Sequence, residues 1–340
     1  MNAEGNRDSH ATDTGRSLAT GSNLRSRSPE GRAREAPLRV SIIVFSPSGN
    51  TRKVGSMLAE RLSMRGVAVQ LLDATGDEVL FRDRDLSRFL AEKLRPHDVL
   101  CIGGPVYAHH MHYNVLDLIK ALPALGNGWG GYAVPFVTYG TVSSGVALED
   151  AAKMLRKTGR KLVFAMKLDA YHCYGRIFPT DVNAGMPGDE AIPFIEDLAA
   201  RIAGLGEQPS AECRDVTREL RYLSFGDRAK AKVLIRERLF QRRMYPGLRF
   251  DTSKCVQCGK CAEVCPVLRI ERTETGPSIP KGAPQCIHCG SCIAACPSGA
   301  IEFKTDMERW GNIFRRALAG RSPLASNESP KSAVYPVQRR

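Results

Sequence analysis

The sequence predicts an α/β fold, a doubly wound five-stranded parallel sheet, followed by a second and smaller domain. Three observations carry this. Short apolar, β-branched runs alternate with helically spaced apolar residues from Leu38 to Gly206. Polar or glycine-bearing loops follow the first, third and fourth of those runs. Eight of the 11 cysteines fall between Cys255 and Cys296. A chain of 340 residues has room for two compact domains with tails.

Val40 to Phe45 is a continuous apolar run, as a strand buried on both faces requires. Val54, Met57, Leu58 and Leu62 recur at helical spacing, and Gly66 ends that helix. Val67 to Leu72 is the second strand, and Val99 to Ile102 the third, with Gly103 and Gly104 behind it. Val115, Leu118, Ile119 and Leu122 mark a helix, and Tyr132 to Tyr139 the fourth strand. Leu148, Ala152 and Leu155 mark the next helix and Leu162 to Leu168 the fifth strand. Ile192, Ile195, Leu198 and Ile202 form the last helix of this part. In such a sheet a ligand sits at the carboxyl ends of the strands, where the strand order reverses.

The loop after the first strand reads Ser46-Pro47-Ser48-Gly49-Asn50-Thr51 and runs straight into a helix. Hydroxyls, a glycine and free N–H groups at a helix N-terminus make an anion site. Ser48 and Asn50 can equally serve as helix caps. The loop is neither a P-loop, since no Gly-Lys-Ser/Thr follows, nor a Gly-x-Gly-x-x-Gly dinucleotide turn. It resembles the phosphate loop of flavodoxins, Ser/Thr-x-Thr/Ser-Gly-Asn-Thr, with Pro47 at the variable place. Two further loops match that family: Pro105-Val106-Tyr107-Ala108 behind Gly103-Gly104, and Thr138-Tyr139-Gly140-Thr141. The resemblance covers residues 38–206. It implies FMN, its phosphate on Ser46, Ser48, Gly49, Asn50 and Thr51, and its ring between the other two loops, with Tyr107 and Tyr139 stacked on it. Stacked aromatics tune a flavin's potential. His109, His110 and His112 read as exposed loop histidines, and His172 beside Cys173 as an unremarkable pair.

The cysteines are more specific. Cys255-x-x-Cys258-x-x-Cys261-x-x-x-Cys265-Pro266 is repeated as Cys286-x-x-Cys289-x-x-Cys292-x-x-x-Cys296-Pro297. Zinc sites also use Cys-x-x-Cys pairs, but two three-cysteine runs each closed by Cys-Pro is the two-cluster bacterial ferredoxin pattern. That resemblance implies two [4Fe-4S] clusters in a small α+β domain, with the fourth cysteine of each run ligating the other cluster. Cys255, Cys258, Cys261 and Cys296 then hold one cube, and Cys286, Cys289, Cys292 and Cys265 the second. Cys101, Cys173 and Cys213 lie outside the pattern, and Cys101 on the third strand reads as core.

The whole chain therefore resembles flavodoxin–ferredoxin fusions. The expected parts are a disordered N-terminal tail (1–37), an FMN domain (38–206), a basic helical linker (207–250), a two-cluster domain (251–304) and a C-terminal helix with a disordered tail (305–340). Residues 1–39 contain no Val, Ile or aromatic residue, too little apolar surface to offset ordering. The first residues have no apolar h-region and are not acid-poor, which argues against a secretory signal or a transit peptide. With the clustered thiols this predicts a cytoplasmic protein. No run of about 18 apolar residues exists to span a membrane.

The net charge is +13, and Arg214 to Arg249 alone holds eleven Arg and Lys against four Asp and Glu. Such an excess suits acidic redox partner proteins, and no motif accompanies it to suggest nucleic acid. Ala229 to Arg243 reads as a helix, with Val233, Leu234, Leu239 and Phe240 packed on a domain. FMN exchanges electrons singly or in pairs and each cube one at a time, so the resemblance implies an electron carrier. The alternative is a flavin-dependent reductase that feeds electrons through the cubes to a substrate stacked on FMN. No pyridine-nucleotide domain is present to oxidise NAD(P)H directly.

Overall fold

Strand β1 (Arg39–Val44) forms where the first apolar run predicts it, in a computed structural model that describes residues 36–206, 215–234, 237–320 and 330–337. Helix α1 (Asn50–Ser63) and strand β2 (Ala68–Asp73) follow, then α2 (Leu86–Lys93), whose first turn is capped by the Asp85 carboxylate accepting from Arg88 N. Strand β3 (His97–Tyr107) is longer than its apolar run because Gly103 and Gly104 continue it. Glycine is usually poor in strands. Here a Cβ on Gly103 would stand 2.1 Å from the ring of Phe136 on the neighbouring strand, and one on Gly104 2.6 Å from Val115 of the following helix, so only glycine fits at either place.

The chain reverses into β4 (His110–Met111), then makes α3 (Tyr113–Lys120), β5 (Trp129–Tyr139) and α4 (Ala147–Lys157). The fifth run breaks into β6 (Lys161–Leu162) and β7 (Ala165–Asp169), and α5 (Ile192–Ala203) closes this part. The strand order is β2-β1-β3-β5-β7, all parallel, the flavodoxin-like doubly wound order. Side chains alternate across the sheet. Ile42 and Val44 meet Val54, Leu58, Ile195 and Leu198 of α1 and α5 on one face. Ile43 and Phe45 join Val115, Leu118, Leu148 and Leu155 on the other.

The linker helices are α6 (Phe225–Leu234) and α7 (Glu237–Met244). Val233 and Leu239, expected to pack, are 72% and 41% exposed; Ala231 and Glu237 are the buried positions. The expected contacts of the Leu234 and Phe240 side chains lie outside the described residues. So does residue 207–214 of the linker, and so does residue 1–35 of the N-terminal tail. The small domain contains β8 (Leu248–Phe250), α8 (Lys260–Glu263), β9 (Glu271–Thr273), β10 (Gly276–Ser278), α9 (Ser291–Ala295) and β11 (Ile301–Phe303), with antiparallel pairs β8–β11 and β9–β10.

Helix α10 (Met307–Leu318) follows. Where polarity predicted a disordered tail, β12 (Ala333–Tyr335) instead adds antiparallel to β7 and is buried. A three-residue strand in a polar tail carries no periodic signal, yet it covers a sheet edge. The described residues from Pro37 onward form one compact unit, so the sheet domain and the small cysteine-bearing domain are not separate bodies in space. The core on the Ile43 face runs on into Val267, Ile270, Ile287 and Ile301 of the small domain. Among the described residues no helix is long and apolar enough to cross a membrane.

Candidate functional site

The β1–α1 loop is tied down on all sides. Ser46 N donates to Thr75 Oγ1 at 2.7 Å, Gly49 N donates to Ser46 O at 3.0 Å, and Gly49 takes φ +88° at the helix start. Arg52 N donates to Ser46 Oγ at 2.9 Å, and the first intrahelical bond is Lys53 N to Gly49 O. The N–H groups of Asn50 and Thr51 precede that bond, as an anion site at a helix start requires. Thr51 Oγ1 and Thr138 Oγ1, both buried, share a 2.7 Å hydrogen bond, which joins α1 to the end of β5. Asn50 Nδ2 donates to Tyr171 O at 2.8 Å.

A cavity of ≈ 360 Å³ opens beside this loop, within the size range of cofactor sites. Ser48 and Asn50 line one end, Pro105, Val106, Tyr107 and Ala108 a second wall, and Thr138, Tyr139 and Gly140 a third. All stand at the carboxyl ends of β1, β3 and β5, where the strand order reverses. Ser46, Gly49 and Thr51 do not line the cavity, nor does Thr141, whose N–H and hydroxyl donate to Asp169 Oδ1 at 2.8 and 3.2 Å. Tyr139 is buried and donates its hydroxyl to Lys331 O at 2.7 Å. Tyr107 is hydrogen-bonded to the Cys173 thiol, and burial raises its pKa, so it stays neutral.

The loop histidines are not exposed. His112 is fully buried, its ring 5.0 Å from Phe45 and 4.5 Å from Tyr113, and its Nδ1 accepts from Asn114 N at the start of α3. His110 is held between Asp150 Oδ2 (2.6 Å) and Ala231 O (3.0 Å). Their polarity read as a loop, but His110 is folded between α4 and α6 and His112 against Phe45 and the start of α3.

The remaining walls escaped the sequence. Residues Ala170 to Tyr174 after β7 line the cavity, with Tyr245 behind α7, His288 of the second cysteine run, and Trp310 and Phe314 of α10. Among the described residues no Asp, Glu, Lys or Arg lines it. Tyr174 Oη, His288 Nδ1 and Trp310 Nε1 are buried and have no hydrogen-bond partner among the described residues. The aromatic lining, with the loop N–H groups, suits a planar ring carrying a phosphate. The only signal in sequence was the His172-Cys173 pair.

The two cysteine runs repeat with an offset that also repeats their hydrogen bonds. Gln257 N donates to Cys255 Sγ and His288 N to Cys286 Sγ, both at 3.4 Å. Arg269 N donates to Cys265 Sγ and Ala300 N to Cys296 Sγ, both at 3.2 Å. Amide N–H groups aimed at sulfur are how a protein holds thiolates around a cluster and tunes it. Cys255, Cys258, Cys261 and Cys296 line one cavity. Cys265 lies within electrostatic reach of Cys286, Cys289 and Cys292. The donor sets, all thiol, fit iron–sulfur clusters.

The two sets differ in setting. Cys258 is exposed, whereas Cys289 and Cys292 are buried. Burial pushes the Cys289 thiol up to about 11 and raises Cys292 further. At Cys296 burial acts upward too, but hydrogen bonds from Ser298 and Ala300 outweigh it and lower the thiol. Cys289 is close enough to bear on Tyr107, Cys173 and Tyr174 of the larger cavity.

Residues 247–297 match the family model described as a 4Fe-4S dicluster domain. No curated protein matches the chain. Among solved structures, rubredoxin oxygen:oxidoreductase from Desulfovibrio gigas is 18% identical with a TM-score of 0.37; the match covers 52% of this chain and 38% of that one. Oxidised flavodoxin 1 from Bacillus cereus is 17% identical, covering 48% and 96%, with a TM-score of 0.35. Two-electron reduced flavodoxin from Megasphaera elsdenii is 18% identical, covering 48% and 98%, with a TM-score of 0.31. The fold assignment rests on the strand order rather than on these superpositions. The dicluster domain gives the chain a redox role.

Proposed function

We propose that this chain, a flavodoxin-like domain fused to a 4Fe-4S dicluster domain, carries single electrons between a bound FMN and two [4Fe-4S] clusters. The observation that carries this reading is the shared cavity: loops behind β1, β3 and β5 line it together with His288, which stands between Cys286 and Cys289. Ser48, Asn50 and the N–H groups at the start of α1 receive the phosphate, with Ser46, Gly49, Thr51 and Thr138 bracing them. Pro105, Val106, Tyr107, Ala108, Tyr139 and Gly140 flank the ring, and Thr141 anchors the third loop to Asp169. Cys255, Cys258, Cys261 and Cys296 hold the exposed cluster; Cys286, Cys289, Cys292 and Cys265 hold the buried one.

This order makes a path from surface to flavin. The exposed cluster faces outside partners, and the buried one stands beside the cavity. The chain's own residues fix the distances and exclude water, while the flavin supplies the step between one- and two-electron chemistry. The basic linker is partly consumed inside the molecule. Arg221, Arg228 and Lys232 converge on Glu149, and Arg238 pairs with Asp117. Arg218, Arg242 and Arg243 remain exposed for an acidic redox partner.

Anaerobically prepared protein should hold FMN and about eight iron and eight sulfide per chain. Rapid photoreduction of the clusters tests the path: flavin reduction should follow as a first-order step, independent of protein concentration and little changed by salt. A rate that doubles when concentration doubles would rule out transfer within the chain.

A further inference from the structure

The last described segment of the chain, residues 330–337, follows the dicluster domain and α10 in sequence, yet it folds back onto the sheet domain. Ala333, Val334 and Tyr335 form a ladder with β7, paired with Lys167, Met166 and Ala165. Lys331 and Ser332 precede that ladder and reach the third ring loop instead. Tyr139 Oη donates to Lys331 O at 2.7 Å, and Lys331 Nζ donates to Thr141 O at 3.4 Å. Ser332 Oγ accepts from Asp169 N at 3.1 Å. Asp169 Oδ1 in turn accepts from the N–H and the hydroxyl of Thr141.

Two features of that loop need holding. Tyr139 lines the cavity and is 3% exposed. A tyrosine side chain turns about two bonds, so tying down its hydroxyl fixes the tilt of its ring in the cavity wall. Thr141 sits at φ +64°, the left-handed region that a β-branched residue rarely adopts. Such a conformation persists where several contacts over-determine it. Here they are the two bonds to Asp169, the bond from Lys331 Nζ, and one from Asn183 Nδ2 to Thr141 Oγ1 at 2.7 Å. Both ends of the loop are therefore tied, directly or through Asp169, to the same two residues of the C-terminal segment.

We propose that Lys331 and Ser332 are positioning residues for the flavin site: the segment behind the dicluster domain sets the tilt of Tyr139 and the turn at Thr141. This rests on the FMN reading above and adds that the third ring loop is not complete within residues 38–206. The way an aromatic ring faces a flavin tunes how readily the flavin accepts electrons. Loosening Tyr139 then moves both the affinity for FMN and its reduction potential. Covering the edge of β7 is a separate role, carried by the ladder at Ala333 to Tyr335. Substitution separates the two, because Ser332 lies outside the ladder.

The test uses full-length, cluster-loaded protein stripped of flavin and titrated by fluorescence with FMN, then a redox titration of the bound flavin followed by its absorbance. Tyr139→Phe keeps the ring and removes the tether, and Ser332→Ala removes the acceptor for Asp169 N. Each should weaken FMN about threefold or more, as loss of one part-buried hydrogen bond implies, and shift the flavin potential. Deleting residues 331–340 should weaken FMN more in the wild-type background than in Tyr139→Phe, where the tether is already gone. Val334→Ala thins the buried ladder and leaves the loop contacts in place. It should lose stability in urea and keep the wild-type potential. Iron content and urea unfolding check that each variant is folded, and the two point variants decide the question even where the deletion assembles poorly. Unchanged affinity and potential in both Tyr139→Phe and Ser332→Ala overturns the proposal. So does an equal cost of the deletion in the two backgrounds, or a potential shift in Val334→Ala as large as in Ser332→Ala, which would leave β12 an edge cover only. Failure of wild type to bind FMN at all sinks the FMN reading itself; binding that ignores these variants sinks only this one.

Discussion

Ser291 donates its hydroxyl to the Pro47 carbonyl at 3.2 Å, so the first residue of α9 touches the loop that begins α1. The contact does not stand alone. Gly76 N donates to Pro266 O at 2.9 Å, and a Cβ on Gly290 would stand 2.3 Å from Ile177 Cδ1. Residues immediately around both cysteine runs thus grip the loops of the sheet. The proposed route from cluster to flavin would rely on this grip to hold the separation fixed.

Gly290→Ala tests that grip, and the internal repeat supplies its control. Gly259 holds the equivalent position in the first run, with φ +79° against +73° for Gly290. Alanine is strained at both by about 1–2 kcal/mol. At Gly259 it meets only the flexible Arg272 side chain at 3.0 Å, whereas at Gly290 it collides with Ile177. Gly290→Ala should therefore be less stable than Gly259→Ala by about 1–3 kcal/mol in urea unfolding, and it alone should slow flavin reduction by the clusters. Equal effects would place the strain in the cysteine loops and not at the contact.

Replacing the fourth cysteine of a run should damage the cluster of the other run. Cys296→Ala should perturb the exposed cluster at Cys255, Cys258 and Cys261, with which Cys296 shares a cavity. Cys265→Ala should perturb the buried one. Only the latter stands beside the flavin cavity, so only Cys265→Ala should uncouple flavin reduction from the remaining cluster. Electron paramagnetic resonance of each variant reads which cluster is lost, and loss in the run nearest in sequence would contradict the pairing.

The sheet and the cysteines were legible because their signals are local. Val40 to Phe45 or Tyr132 to Tyr139 is long enough to read as strand, and Cys-x-x-Cys spacing carries its own chemistry. What was missed is non-local. Tyr174, His288 and Trp310 become one wall only after two domains dock, and no periodicity marks that. His112 reads as a polar loop residue, but its ring does aromatic packing while its Nδ1 caps α3. In the linker, Val233 and Leu239 misled because apolar spacing alone suggested burial, whereas α6 meets the sheet domain through buried Ala231 and the ion pairs of Arg228 and Lys232.

That electrostatic contact has a centre. Glu149, in the first turn of α4, accepts from Arg228 at 2.9 and 3.1 Å and is also paired with Lys232. Burial would raise its carboxyl, but the bonds from Arg228 and Lys232 outweigh burial and hold it below the usual carboxylate range. A lowered folded pKa means stability that is present above the unfolded value of about 4.5 and is lost as pH falls below it. Glu149→Gln should free α6. The cations are partly exposed, so the loss should be about 1–2 kcal/mol, seen as faster proteolysis within residues 225–234. Protection equal to wild type would mean that Ala231 and the rest of the packing hold α6 without the carboxylate.

Acid should weaken the fold well before that carboxylate titrates. His97, His112 and His172 are each lowered by burial, to about 4, about 3 and about 4 from an ordinary 6.5. The unfolded chain therefore takes up protons near pH 6.5 that the native chain refuses until pH 3–4. With more protons bound when unfolded, stability falls as pH drops from 6.5 toward 4, by about 1.4 kcal/mol per pH unit for each histidine. Glu237, which faces His112 at 3.9 Å, works in the opposite sense, since burial raises its carboxyl so that the native form holds a proton the unfolded chain has lost. The net slope should be about 1–3 kcal/mol per unit. Cluster thiolates add their own acid sensitivity, so the measurement is a difference between variants. Asparagine keeps an acceptor for Asn114 N at the α3 cap and does not titrate. His112→Asn should thus lose stability at pH 7, while the gap to wild type narrows between pH 6.5 and 5 in urea titrations of the loaded protein. A gap that stays constant over that range would show that His112 is not held neutral by burial.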